Sequence, residues 1–181
     1  MEVKKAIETR RSVRKYLDRE VPESLVSELV EAARLAPSAY NAQPTQFVIL
    51  KGKEIKEKLK ENKIFRHDFV YTASVIIVCC GDPKVFPEAR MENTYSNPAE
   101  IAGEVGAVRD VSIATQNLVL RATELGLGTC YVGIVAGEKI KEILGIPKNY
   151  VLPFVITVGY PDETPDPTPR KPQKDLIIKE L

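Results

Sequence analysis

The densest run of chemistry-bearing residues is Arg10-Arg11-Ser12-Val13-Arg14. Arginine forks bind phosphate or carboxylate oxygens in pairs, and a neighbouring hydroxyl adds a further donor, so this run suits an anion. The same residues also describe a solvated cationic helix end whose charges answer the macrodipole. Both readings stand on the run alone. A second run, Ala36-Pro37-Ser38-Ala39-Tyr40-Asn41-Ala42-Gln43-Pro44, holds Ser38, Asn41 and Gln43 between two prolines. Hydroxyl and amide groups on a rigid frame can meet the edge of a planar heterocycle within an apolar slot. They serve equally as turn chemistry after a helix.

Other chemistries are excluded by what is missing. The segment Gly126-Leu127-Gly128-Thr129-Cys130-Tyr131-Val132-Gly133 has Tyr131 where a dinucleotide fingerprint needs glycine. It has Ile134 where a phosphate loop needs lysine, so neither motif is present. His67 is the only histidine, and no nucleophile turn surrounds it. Cys79, Cys80 and Cys130 are odd in number and lack CxxC spacing, which reads as free thiols in a reducing cytoplasm rather than a disulfide or zinc site. No catalytic side chain and no metal ligand is assigned.

These residues must be positioned by a chain of 181 residues, the size of one domain. With 26 basic and 25 acidic residues the net charge is +1, which argues against a nucleic-acid binder or a membrane-surface protein. The longest apolar run, Val75 to Cys80, is too short to span a bilayer, and the amino terminus lacks the pattern of a secretory signal. Helical spacing predicts helices over 2–9, from Pro22 at its first position to Ala36, and over 53–63, 101–125 and 138–144. Strands are expected over 46–50, 73–80, 129–132 and 151–158. The run 73–80 is apolar on both faces, as a central strand covered on each side would be, and Pro153 places an edge or an early strand position. The helix 101–125 is apolar nearly all round, which requires burial inside the domain or between subunits. Five of the 13 prolines fall between Pro161 and Pro172, so this stretch reads as an extended arm, with 175–181 able to pair as a terminal strand. The order of elements gives an α+β or α/β domain with helices on both faces of a central sheet.

Taken together, RRSVRKY at 10–16, APSAYNAQP at 36–44, the ASVIIV strand, the long helix running into ATELGLGTCYVG, and Pro169-Arg170-Lys171-Pro172 resemble the FMN-dependent nitroreductase family. The resemblance covers residue 2 to about 175, and its first two blocks are the specific ones. It implies an α+β fold, a nitroreductase-like central sheet flanked by helices, in an intertwined homodimer with FMN at the subunit interface. Residues 1–160 would form the FMN-binding domain and 161–181 its arm. The helix 101–125 would be dimer contact, and 175–181 a strand lent to the partner.

By the same resemblance Arg10, Ser12 and Arg170 hold the FMN phosphate and ribityl end, with Arg11 and Lys171 beside them. Arg14 lies at the N1 and C2 edge of the ring, where a cation raises the flavin potential. Pro37, Ser38, Asn41 and Gln43 meet the ring or ribityl chain, and Tyr131, Val132, Gly133 and Ile134 run beside the ring. Tyr40, Phe65, Phe69 and the 88–98 segment are candidate pocket walls, although a core role suits Phe65 and Phe69 better. The implied activity is hydride transfer from NAD(P)H through FMN to a nitroaromatic, quinone or similar small acceptor, in a ping-pong cycle. A specialised reaction on the same scaffold, or a non-enzymatic flavin-binding role, is the alternative. Thr45 departs from the family, where a large aromatic often follows the second block.

Overall fold

The computed structural model describes residues 2–87 and 99–181, of which 99–102 by backbone alone. The candidate wall at 88–98 therefore lies outside the described residues. The architecture is organised by strand β2 (Val75–Gly81), buried over its whole length. Its side chains alternate between two cores, as the two-residue period of a strand requires. Val75, Ile77 and Cys79 face one core and Ile76, Val78 and Cys80 the other. β1 (Thr45–Leu50), β3 (Gly128–Val132) and β4 (Val151–Gly159) complete an antiparallel sheet in the order β1-β2-β4-β3. The fold is α+β.

Pro153 sits early in β4 and yet in an inner strand. β3 reaches only as far as Val132 opposite Val155, and the β2 register slips between Cys79 and Gly81. The proline thus occupies the stretch where β4 lacks a partner on the β3 side and pairs irregularly on the other, which removes the cost of its missing N–H.

Six α-helices fall among the described residues. α1 (Val3–Thr9), α3 (Lys53–Glu61) and α6 (Gly137–Leu144) fall where periodicity places them, and α6 ends on Gly145 at φ 67°. α2 (Glu23–Arg34) buries the stripe Val26, Leu29 and Ala33, but Pro22 is its extended N-cap rather than its first helical residue. α4 (Phe69–Thr72) is a single turn with no sequence period to announce it. α2 and α5 (Ala99–Glu124) pack on one face, and α3, α4 and α6 on the other. Phe65 is buried and Phe69 packs against that second core, which bears out their structural role.

α5 is not buried all round within the chain. Ala107, Val111, Ala114, Leu118 and Ala122 face the core, while Val105, Val108 and Ile113 remain 46%, 38% and 40% exposed. Among the described residues no helix is long and apolar enough to cross a membrane. Residues 177–181 form no strand within this chain.

The three cysteines are buried and unpaired. Burial pushes all three thiols up, that of Cys80 from 9.0 to about 11. The folded chain therefore holds these protons more tightly than the unfolded one, so their stabilising contribution is complete at neutral pH and is lost as pH rises. The melting temperature is expected to hold through neutral pH and to fall between pH 9 and 11, with a shallower fall in Cys80→Ser. Thiol reagents should titrate no group until the chain is denatured.

Candidate functional site

The arginine run is seated by two glycines. Gly128 and Gly159 face each other in the β3–β4 register. A Cβ on Gly128 would come within 2.9 Å of the Val13 side chain, and one on Gly159 within 2.7 Å of the Tyr16 ring. Only glycine leaves room for segment 12–16 to lie against the strand ends. Val13 N–H then donates to the Thr129 carbonyl at 2.9 Å, and Ser12 bridges to Thr129. The Tyr16 hydroxyl donates to the Val13 carbonyl and shares a hydrogen bond with Thr157, both at 2.6 Å. Gly159→Ala should displace Tyr16 and destabilise the fold by about 1–3 kcal/mol, the usual penalty of overpacking, measured by thermal or denaturant unfolding.

The arm is tied to the same segment. Asp162 N–H donates to the Lys15 carbonyl at 3.0 Å, and the Glu163 carboxylate accepts from the backbone N–H of Arg14 at 2.5 Å and of Lys15 at 3.2 Å. This docking brings Arg170, 160 positions after Arg10, to the rim of one cavity of about 600 Å³ with Arg10, Arg11, Ser12, Arg14 and Thr168. Among the described residues that line it, the carboxylates are those of Glu8 and Asp166, so four guanidiniums face two acids.

Not all four are equally free. Arg11 donates to the carbonyls of Glu8 and Arg10, and Arg170 folds back onto Thr168 and the Pro169 carbonyl. The guanidiniums of Arg10 and Arg14 make no hydrogen bond or ion pair among the described residues. Ser12 also borders the buried Cys130 thiol, whose upward shift from burial is partly offset by Arg14, Ser12 and Arg10. Cations around an open cavity with a hydroxyl donor suit an anion, and a solvated helix end does not account for Arg170. Lys171 follows on the exposed arm, outside the residues lining this cavity.

The second sequence block does not line that cavity. Pro37, Ser38 and Gln43 border another, of about 520 Å³, with Gln46, Phe47 and Asp110, between α2, β1 and α5. Asn41 stands exposed at the loop tip. Tyr40, Asn41 and Gln43 all have left-handed backbone, at φ 55°, 55° and 51°. Such conformations cost non-glycine residues about 1–3 kcal/mol each and persist only where the surroundings impose them. Here the Ser38 hydroxyl accepts from Gln43 N–H at 2.9 Å, and the Asp110 carboxylate accepts from Ala39 N–H at 2.9 Å. Asp110 was not among the residues singled out from sequence. Its signal is positional: it falls one turn before Ala114 and two before Leu118, an acid on the core stripe of α5.

At the end of β3 the Tyr131 side chain turns toward α5, its hydroxyl donating to Thr115 at 3.3 Å, and burial pushes its phenol up. Val132 is buried in the opposite core, while Gly133 and Ile134 are exposed. What this stretch offers outward is the main chain at Gly133 and Ile134 together with the exposed Ile134 side chain.

Comparison with known proteins adds a family. The model of the nitroreductase family matches residues 7–65 and 60–160. A protein of Archaeoglobus fulgidus, provisionally named an NADH dehydrogenase/NAD(P)H nitroreductase, is 36% identical over 90% of this chain and 87% of its own. The FMN reductase [NAD(P)H] of Bacillus subtilis is 32% identical over 99% of this chain and 74% of its own. Among solved structures, a provisionally named nitroreductase from Desulfovibrio desulfuricans, in complex with FMN, superposes with a TM-score of 0.83. It is 25% identical, over 100% of this chain and 98% of that one.

Proposed function

The chain belongs to the nitroreductase family, and from that premise we propose that it is an NAD(P)H-dependent FMN oxidoreductase that reduces a nitroaromatic, quinone or similar small acceptor. One observation carries the reading: Arg170 borders the same cavity as Arg10, Ser12 and Arg14, from which it is far apart in sequence. A donor set of guanidiniums and a hydroxyl fits a phosphoryl tail.

In this reading Arg10, Ser12 and Arg170 hold the FMN phosphate, with Arg11 and Lys171 lending positive charge around it. Arg14 sets a cation toward the pyrimidine edge of the ring, and the N–H groups of Gly133 and Ile134 are offered to its N5 side. When bound, FMN supplies hydride exchange, from NAD(P)H in one half of a ping-pong cycle and to the acceptor in the other. No side chain of this chain is assigned a proton transfer.

The two sequence blocks border different cavities within one chain. This supports a site shared by two copies, in which Pro37, Ser38, Asn41 and Gln43 come from the second. Other features agree with such a homodimer. The outer edge of β3 is taken by Ser12 and Val13, whereas β1 has no outer partner among the described residues. The exposed tail 175–181, with its apolar Leu176, Ile177, Ile178 and Leu181, suits that open edge in a second copy. Val105, Val108 and Ile113 suit the contact between helices. The ties of Glu163 to the arginine segment support reading the arm 161–181 as part of the same domain as 1–160. A cytoplasmic setting keeps the three thiols reduced.

The test is an absorbance spectrum of the purified protein before and after anaerobic NADPH. A flavin band that bleaches is expected. Colourless protein that takes up no added FMN refutes the reading.

A further inference from the structure

We propose that the Asp110 carboxylate is the positioning residue that holds loop 38–43 in its left-handed shape and thereby sets how tightly FMN is bound. The second part rests on the reading above, in which Ser38, Asn41 and Gln43 meet the cofactor. The loop closes on itself through Asn41 N–H to the Ser38 carbonyl and Ala42 N–H to the Ala39 carbonyl, both at 3.0 Å, and through Gln43 N–H to the Ser38 hydroxyl. Those bonds shape the loop without fixing it to the body of the protein. Among the described residues, Ala39 N–H donates to Asp110 Oδ2 at 2.9 Å, a polar attachment of the loop to α5.

Asp110 is only 2% exposed, and its other oxygen accepts from Arg109 Nε at 3.1 Å. The carboxylate is thus held from the second side and cannot swing into water. A carboxylate is required because both oxygens face donors; asparagine would turn its amide N–H₂ toward one of them. With that bond weakened, Tyr40, Asn41 and Gln43 can relax from their left-handed backbone, and the loop's hydroxyl and amide groups lose their fixed directions.

The experiment uses the full chain. In the FMN-free protein, Asp110→Asn should speed amide hydrogen exchange at residues 39 and 41–43 about tenfold or more, with β2 and β4 unchanged. Its FMN dissociation constant, from fluorescence quenching, should rise about ten- to a hundredfold, as for loss of a hydrogen bond to a charged group. Ala39→Pro removes the same donor from the loop side. Ser38 is already extended at ψ 154°, the conformation that precedes proline most readily. This variant should weaken FMN to a similar degree, and the double variant should lose little more than either single one, because one bond is shared.

Unchanged exchange in Asp110→Asn overturns the positioning role. Faster exchange with unchanged FMN affinity overturns the link to the cofactor. If Asp110→Asn also loses protection in β2 and β4, Ala39→Pro decides by the same criteria. Wild-type protein that binds no FMN refutes the functional reading instead, and the exchange measurements still judge the loop.

Discussion

Replacing Arg10 and Arg170 together with alanine is expected to weaken FMN binding about a hundredfold. Hydrogen bonds to charged groups contribute about 1.5–3 kcal/mol each. The lower end applies here, because Arg170 is exposed and must give up its contacts with Thr168 and Pro169. Two such losses come to about 3 kcal/mol, or two decades in affinity. Riboflavin, which lacks the phosphate, provides the control: its weaker binding should be the same in wild type and variant. An FMN affinity that survives the double substitution sinks the clamp. Equal losses for riboflavin and FMN would also sink it, since they would indicate general damage rather than a lost anion contact.

The second large effect concerns assembly. Val108 and Ile113 are exposed in the single chain, so Val108→Glu combined with Ile113→Glu should leave its fold intact, with cooperative melting near the wild-type temperature. Between two copies, the same glutamates would be buried at a cost of several kcal/mol per ion. The expected product is a folded monomer by sedimentation that no longer retains FMN, because half of each site would come from the partner. A variant that remains dimeric refutes α5 as the contact. A monomer that keeps wild-type FMN affinity refutes the shared site.

Much of the fold was legible where one local pattern determined one outcome. The run VIIVCC suited a strand covered on both sides, and its odd and even residues divide the two cores accordingly. The stripe Val26, Leu29 and Ala33 likewise announced α2. The arginine run alone left an anion site and a solvated helix end both open, and its convergence with Arg170 was expected from the family resemblance rather than from spacing. That convergence depends on Glu163 and on the glycine pair under Val13 and Tyr16, contacts that join residues well over a hundred positions apart. Asp110 escaped notice because a charge on a core stripe has no meaning until its partner, the Ala39 N–H, is known. The single turn α4 is too short to show a period. The separation of the two blocks into different cavities could not be read from spacing, which carries no information about which copy supplies a residue.

The seclusion of Cys79, Cys80 and Cys130 makes the native chain a ready blank for spin labelling. Ile178 is fully exposed on the tail, so Ile178→Cys would carry the one reactive thiol among the described residues. A nitroxide attached there would act as a ruler, reporting the span between two tails in an assembled pair without any native cysteine being removed.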